Sequence, residues 1–129
     1  MELTLPKRNL GLTGFEVSPI GIGTGALAAV PSVTDKRAGD DLAVETLRTA
    51  FSSGINYIDT APLYGRSEKL LGEALEGLAE DFYIATKVGF DPKDFTSRRD
   101  TVLRSIDRSL KRFRIVKLST VQIHEVPPL

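Results

Sequence analysis

The sequence contains no cysteine, and this absence removes several kinds of function at once. Disulfide bridges, thiolate metal sites and cysteine nucleophiles are all excluded. The lack of cysteine also fits a reducing compartment. The N-terminal segment Met1–Thr4 shows no cationic stretch followed by an apolar one, so we expect no secretory signal. Together these features predict a cytoplasmic protein.

The sequence also lacks a net charge and a long apolar run. Seventeen basic residues balance seventeen acidic ones, so no global field indicates a nucleic acid or an anionic membrane as a partner. The longest apolar run, Ala26–Pro31, is far shorter than the roughly 20 residues that cross a bilayer. A basic stretch over residues 98–114 has acids interleaved and is typical of a solvated helix face.

Short apolar runs alternate with amphipathic helical patterns along the 129 residues. The predicted strands lie near Ile20–Gly23, Ile55–Asp59, Phe82–Lys87 and Leu118–His124, and the predicted helices near Asp41–Ser53, Glu68–Ala79 and Arg98–Phe113. Lys7–Asn9 and Glu16–Val17 flank a turn with glycine and predict a β-hairpin. Helices that alternate with strands indicate a parallel sheet with right-handed crossovers. We expect residues 1–129 to form one α/β domain.

Local signals mark several helix ends. Gly54 follows the first predicted helix at the position where a C′ glycine is expected. Ser67 directly precedes Glu68, which predicts an N-cap and a carboxylate that suits the helix dipole. Ser97 with Asp100 makes an acidic variant of the capping box at the start of the third helix.

Polar residues stand at or just beyond the C-terminal ends of three predicted strands. Asp59 ends the second strand and Tyr64 follows in the next loop, whereas Lys87 ends the third strand and His124, the only histidine, ends the fourth. The alternation of side chains along a strand allows Asp59, Lys87 and His124 to face inward at one rim. The opposite faces carry apolar residues that suit packing beneath helices: Ile58, Ile84, Val121 and Ile123.

Such a cluster suits the protonation of a carbonyl oxygen while another group attacks the carbon. A lysine ammonium beside a phenol stabilises the phenolate, which makes Tyr64 a usable proton donor and acceptor. Lys87 loses solvent at the rim and needs a counter-ion, and Asp59 can be that counter-ion. His124 can donate a hydrogen bond to a substrate oxygen. For each residue taken alone, a structural ion pair, an exposed tyrosine or a structural histidine remains an alternative.

The glycines of residues 21–25 resemble a phosphate-binding loop only superficially. The third glycine at the dinucleotide spacing is missing, and so is the acidic residue about 20 positions further on. A Rossmann fold is therefore disfavoured.

Larger segments resemble the aldo-keto reductases: Asp59-Thr-Ala-Pro-Leu-Tyr-Gly65, Ser67-Glu-Lys-Leu-Leu-Gly-Glu-Ala-Leu75, Ala85-Thr-Lys-Val-Gly89 and Val121-Gln-Ile-His124. The hairpin followed by Ile20-Gly-Ile-Gly-Thr24 is similar to the barrel plug and first strand of that family. A whole barrel of such units needs about 250 residues. The resemblance therefore implies the first half of a (β/α)8 barrel (a TIM barrel) with an N-terminal β-hairpin. The first segment looks like the bacterial sugar-dehydrogenase branch.

The resemblance also implies an activity and a set of roles. It implies an NAD(P)-dependent oxidoreductase that transfers hydride between a nicotinamide cofactor and a carbonyl or alcohol substrate, namely an aldehyde, a ketone or a sugar. Tyr64 would be the general acid and base and Lys87 would tune it. Asp59 would pair with Lys87, and His124 would orient the carbonyl group.

The cofactor site implied by the resemblance is only partly contained in these residues. Gly23 and Thr24 lie where the first strand of the family ends beneath the nicotinamide, and NADP is the usual cofactor, with NAD as the alternative. Most of the cofactor contacts in the family come from loops after later strands. Two hypotheses follow: an enzyme completed by a partner chain, or a catalytically silent, truncated half-barrel that serves only folding and assembly. In either case open strand edges predict self-association.

Overall fold

The computed structural model describes residues 5–27, 36–78, 81–89 and 98–124. The elements in chain order are β1 (Arg8–Asn9), β2 (Glu16–Val17), β3 (Ile22–Gly23), α1 (Lys36–Ser52), β4 (Tyr57–Asp59), α2 (Ser67–Ala74), β5 (Tyr83–Val88), α3 (Arg98–Phe113) and β6 (Thr120–Ile123). Strands β1 and β2 form the predicted antiparallel hairpin. The other strands form a parallel sheet in the order β3-β4-β5-β6. This is the order of consecutive βα units in half of a (β/α)8 barrel, as predicted.

The register of the parallel sheet determines which residues lie level with one another at the C-terminal ends of its strands. Gly23 pairs with Asp59, so the ends of β3 and β4 are level. On the other side, the amide of His124 donates a hydrogen bond to the carbonyl of Val88 at 2.9 Å, one residue beyond Lys87. The ends of the four parallel strands therefore meet along one rim.

The hairpin closes the opposite end of the sheet, where β4 and β5 begin. The side-chain amide of Asn56, just before β4, donates to the carbonyl of Glu16 at 3.0 Å. The rings of Phe15 and Tyr83 stack with centroids 4.7 Å apart. The Tyr83 hydroxyl also accepts a hydrogen bond from the amide of Glu16 at 3.2 Å. These contacts match the expected plug beneath the barrel.

The core lies between the sheet and the helices. It is a cluster of buried apolar side chains from all three helices and from β4 and β5: Leu47, Phe51, Ile58, Leu71, Ala74, Leu75, Ile84 and Phe113. Each large apolar side chain that is fully buried stabilises the fold by about 1.5–3 kcal/mol. None of the helices in the described ranges is long and apolar enough to span a membrane.

The bounds of two helices differ from the prediction. α1 begins at Lys36 rather than at Asp41, so the helix extends beyond its apolar stripe at the N-terminal end. Arg66 forms an ion pair with Asp40 in this added part. α2 ends at Ala74 rather than near residue 79, and the chain then turns through Gly77, which has a φ of +78°. α3 has its predicted bounds.

The end of α1 is closed by glycine as predicted. Gly54 has a φ of +89°, which glycine adopts without the strain of a side chain. Its amide donates to the carbonyl of Phe51 at 2.9 Å, and the amide of Ile55 donates to the carbonyl of Ala50 at 3.2 Å. This pair of bonds is a Schellman motif.

The predicted N-cap of α2 is wrong. The N-cap residue is Arg66, which makes no side-chain capping bond, and Ser67 is already the first residue of the helix. The hydroxyl of Ser67 instead donates to the carbonyl of Thr24 at 2.7 Å, and so ties α2 to the end of β3. The capping prediction for Ser97 lies outside the described residues.

The outward face of β6 also departs from expectation. Ile58 and Ile84 are buried beneath helices as predicted, but Val121 is 40% exposed and Ile123 is 57% exposed. The reason is that the described helices pack over β4 and β5 and leave this part of the sheet uncovered. The edge strand thus presents apolar side chains to solvent.

Candidate active site

The ammonium of Lys87 is the centre of the polar cluster at the rim. Its Nζ lies 2.6 Å from Oδ2 of Asp59 and donates a second hydrogen bond to the carbonyl of Thr60 at 3.0 Å. The Lys87 side chain is 13% exposed, whereas that of Asp59 is 36% exposed. A cation this deep in the protein is stable because a carboxylate and a carbonyl both face it.

Tyr64 and His124 complete the cluster. The Nζ of Lys87 lies 5.0 Å from the centroid of the Tyr64 ring, within cation–π range. The rings of Tyr64 and His124 meet edge to face, with centroids 5.6 Å apart and planes at 86°. The structure thus brings all four predicted side chains together, from β4, the loop after it, β5 and the end of β6.

Opposing effects act on the pKa of Lys87. Burial is the largest single effect and lowers the pKa, but the hydrogen bonds to Asp59 and Tyr64 and their charges raise it. The net result is a pKa above the ordinary value of 10.5. Lys87 is therefore a stable cation at neutral pH, in position to stabilise negative charge on the Tyr64 oxygen.

A tight loop holds Tyr64 in this place. The amide of Tyr64 donates to the carbonyl of Ala61 at 3.1 Å, and the amide of Ser67 donates to the carbonyl of Tyr64 at 3.0 Å. Gly65 has a φ of +56°, which allows the chain to turn directly into α2. A Cβ at Gly25 would lie 3.7 Å from the Tyr64 ring, which is ordinary van der Waals contact, so the segment after β3 packs beside this ring.

The proposed cofactor residues at the end of β3 differ in what they offer. Gly23 is exposed, and a Cβ built there would meet no atom within 4 Å, so open space adjoins the strand end beside Asp59. Thr24 is fully buried, and its hydroxyl is already hydrogen-bonded to that of Thr60 at 2.7 Å. Gly23 thus leaves space open at the rim, whereas the Thr24 hydroxyl has a structural partner.

Sequence reasoning missed a buried polar cluster behind the site. Glu68 is 1% exposed and accepts hydrogen bonds from Thr86, Ser109 and Arg112. A pattern in the sequence indicates this burial: Glu68 shares the apolar face of α2 with Leu71, three residues later. A charged residue on an apolar stripe needs buried partners.

The fold and the cluster together define a class of protein. Acid–base groups at the C-terminal ends of parallel strands, on a half-barrel of βα units, are characteristic of the active sites of (β/α)8 barrel enzymes. A phenol beside a partly buried ammonium, with an imidazole facing it, suits proton transfer to or from an oxygen atom.

Comparison with known proteins gives the family. The sequence profile of the aldo/keto reductase family matches residues 19–129, and the chain belongs to this family. L-galactose dehydrogenase from Arabidopsis thaliana is 40% identical over 124 residues, which cover 92% of this chain and 38% of that protein. The family resemblance stated from the sequence is thus confirmed, and with it the relation to oxidoreductases.

Solved structures agree on the fold. One from Pseudomonas aeruginosa, described as an aldo-keto reductase, is 39% identical with a TM-score of 0.77 and is matched over 95% of this chain and 47% of its own. An aldo-keto reductase from Klebsiella pneumoniae, solved in complex with NADPH, is 24% identical with a TM-score of 0.72 over 88% of this chain and 37% of its own. The chain thus spans less than half the length of these relatives.

Proposed function

We propose that this chain supplies the acid–base part of an aldo-keto reductase active site. In the complete site, hydride passes between NADP(H), or NAD(H), and the carbon of a carbonyl or alcohol group. The observation that carries the proposal is the position of the Lys87 ammonium, 2.6 Å from the Asp59 carboxylate and 5.0 Å from the centre of the Tyr64 ring.

Tyr64 is the proton donor and acceptor in this proposal. Its hydroxyl gives a proton to the carbonyl oxygen in reduction, and in oxidation its phenolate takes the proton from the alcohol. The phenolate that remains after reduction is stabilised by the Lys87 ammonium. Asp59 keeps Lys87 charged and fixed in place, because burial alone would favour the neutral amine.

His124 orients the substrate. Its ring meets the Tyr64 ring edge to face, so both can approach one oxygen atom from neighbouring directions. A hydrogen bond from an imidazole N–H to that oxygen polarises the carbonyl group and holds it near the Tyr64 hydroxyl.

The cofactor supplies the hydride when it is bound. In this chain, the residue that fits a nicotinamide ring is Gly23, where open space adjoins the strand end in register with Asp59. Thr24 stabilises that strand end through the hydrogen bond between its hydroxyl and that of Thr60. The proposed substrates are aldehydes, ketones and sugars, and sugars are included because a relative is an L-galactose dehydrogenase.

A fluorescence titration of NADPH against the protein tests the proposal. Saturable binding is expected, and Tyr64→Phe should retain that binding while carbonyl reduction falls by about 10²–10⁴-fold, the usual contribution of a general acid. Tyr57→Phe, which also removes a hydroxyl from the sheet region, is the matched control and should leave both measurements unchanged. Unchanged turnover in Tyr64→Phe would remove this residue from the mechanism.

A second candidate is a catalytically silent half-barrel that acts in folding or assembly. This candidate is favoured by the exposed side chains of Val121 and Ile123 on β6. Strands β3 and β6 are the two edge strands of the described parallel sheet. Open edges and uncovered apolar faces promote pairing, so self-association is expected, and residues 1–129 are proposed to associate as one folded domain. Sedimentation velocity at micromolar concentration tests the association. Association without NADPH binding at millimolar cofactor favours the silent module.

A further inference from the structure

Glu68 is a buried carboxylate that the proposed chemistry does not use. It lies in the first turn of α2, four residues after Tyr64, and is 1% exposed. Burial of a carboxylate is costly unless its oxygens are fully paired, so this position demands an explanation beyond the packing of an apolar helix face.

Both oxygens of Glu68 are occupied by donors from other elements. Oε1 accepts from the hydroxyls of Thr86 on β5 and Ser109 on α3, each at 2.8 Å. Oε2 accepts from the guanidinium of Arg112 at 2.7 Å. We call these four residues the Glu68 cluster. Within the described residues, no buried side-chain nitrogen or oxygen lacks a hydrogen-bond partner.

The cluster connects the helix that follows Tyr64 with the strand that carries Lys87. Thr86 directly precedes Lys87 on β5, and the two side chains leave the strand on opposite faces. A bond to Thr86 therefore fixes the strand at the point from which Lys87 reaches the rim. On the α2 side of the cluster, the turn from Tyr64 into α2 is closed by a hydrogen bond from the Ser67 amide to the Tyr64 carbonyl at 3.0 Å.

The approach of α2 to α3 is also built around this contact. Gly72 lies one turn after Glu68, and a Cβ at this position would come within 2.2 Å of the carbonyl oxygen of Arg112. Glycine therefore permits the close approach that lets Arg112 reach Glu68. The Glu68 carboxylate and the glycine at position 72 thus both contribute to the contact between α2 and Arg112 on α3.

We propose that Glu68 is a positioning residue that sets the distance between the Tyr64 ring and the Lys87 ammonium. It acts through Thr86 and through the first turn of α2, and it touches no reacting atom. The proposal rests on the proposed function for its consequence in catalysis, but its geometric content can be measured in the protein without turnover.

The test measures the contact directly. The measured quantity is the chemical shift of the Lys87 methylene group next to Nζ, which the nearby Tyr64 ring changes through its ring current. This nuclear magnetic resonance signal is assigned by its loss in Lys87→Met. Tyr64→Leu gives the value without a ring. Glu68→Leu, which has no acceptor, and Thr86→Val, which lacks the hydroxyl, should both move the Lys87 signal most of the way to that value.

Matched variants separate positioning from stability. Glu68→Gln keeps an acceptor for Thr86 and should largely retain the wild-type shift. Glu73→Gln makes the same change at a half-buried position of α2 that pairs with Lys69 instead of Thr86, and should not alter the shift. Ser109→Ala removes a bond of the same length from the α3 side, so it should lower the melting temperature while the Lys87 signal stays near wild type.

The outcomes are decisive in either direction. If Glu68→Leu and Thr86→Val lower the melting temperature but leave the Lys87 signal unchanged, Glu68 is structural only and the proposal is overturned. If Glu68→Leu does not fold, Thr86→Val decides alone. Where turnover is measurable, kcat should fall about 10²-fold for a displacement on the order of 1 Å, with KM for NADPH unchanged. Failure of NADPH binding would refute the proposed function and leave the Lys87 measurement valid.

Discussion

Replacement of Asp59 by Asn tests the electrostatics of the site most directly. The substitution keeps the shape of the side chain and removes the negative charge that lies 2.6 Å from the Lys87 ammonium. Lys87 is only 13% exposed, so its charge cannot turn fully to solvent when the partner is lost. The carbonyl of Thr60, at 3.0 Å, remains as an acceptor.

The size of the effect follows from this partial burial. Loss of one partner from a fully buried ion pair costs about 3–5 kcal/mol. Asp59 is 36% exposed, which screens the pair, and the Thr60 carbonyl retains part of the hydrogen bonding. We therefore expect Asp59→Asn to lower the free energy of unfolding by about 1–2 kcal/mol, between the values for exposed and buried pairs.

The pH dependence has a defined sign. The folded-state pKa of Lys87 is raised above 10.5, so the pair stabilises the folded chain fully from neutral pH up to about pH 10.5. This contribution is lost as the pH rises through the folded-state pKa. In Asp59→Asn the raising effect of the carboxylate is gone and burial still lowers the pKa of Lys87. The difference in stability between wild type and variant should therefore shrink at strongly alkaline pH.

Urea unfolding of a double-mutant cycle measures the coupling. Lys87→Met removes the ammonium, and the double variant Asp59→Asn with Lys87→Met removes both charges. Because the two side chains are in contact, we expect a coupling free energy of about 1 kcal/mol or more. A coupling energy near zero at neutral pH, or a variant difference that grows above pH 10.5, would refute the reasoning.

Two predictions concern packing. Gly72→Ala should lower the free energy of unfolding by about 1–3 kcal/mol, because its Cβ would lie 2.2 Å from the carbonyl oxygen of Arg112. Gly23→Ala, where the added Cβ would meet no atom within 4 Å, is the control and should be nearly neutral in the same urea titration. Leu71→Ala should cost about 2–5 kcal/mol, because Leu71 is fully buried in the core, whereas Leu12→Ala at a fully exposed position should not change the melting temperature. Equal stability of Leu71→Ala and Leu12→Ala would contradict the described core.

The parts of the fold that the sequence could predict are those set by local periodicity. The bounds of α3 and the glycine at the end of α1 follow from the helical stripe and from C′ chemistry, and both were predicted. The start of α1 was not, because its first turn has no apolar stripe to mark it. The cytoplasmic location stays a prediction, since nothing in the structure bears on it.

The parts that the sequence could not predict depend on contacts between distant elements. Ser67 has the composition of an N-cap, but its hydroxyl bonds to the carbonyl of Thr24, 43 residues earlier. Val121 and Ile123 have the pattern of a covered strand face, yet the described helices leave them exposed. In both cases the arrangement of distant elements decided the outcome: a bond to Thr24 for Ser67, and no covering helix among the described residues for β6.

The proximity of the site residues was predictable for a further reason, which lies in the strand order. Each strand of the sheet pairs with its neighbour in sequence, so residues at successive strand ends are also neighbours in space. Parallel strands lie about 4.8 Å apart, which puts Asp59 and Lys87 within reach of one hydrogen bond and His124 one strand further on. Tyr64 reaches the cluster from the loop after β4, and its ring contacts both the Lys87 ammonium and the His124 ring. A sheet with crossed strand order would have separated the same four residues, so the proximity of the site is a consequence of topology as much as of composition.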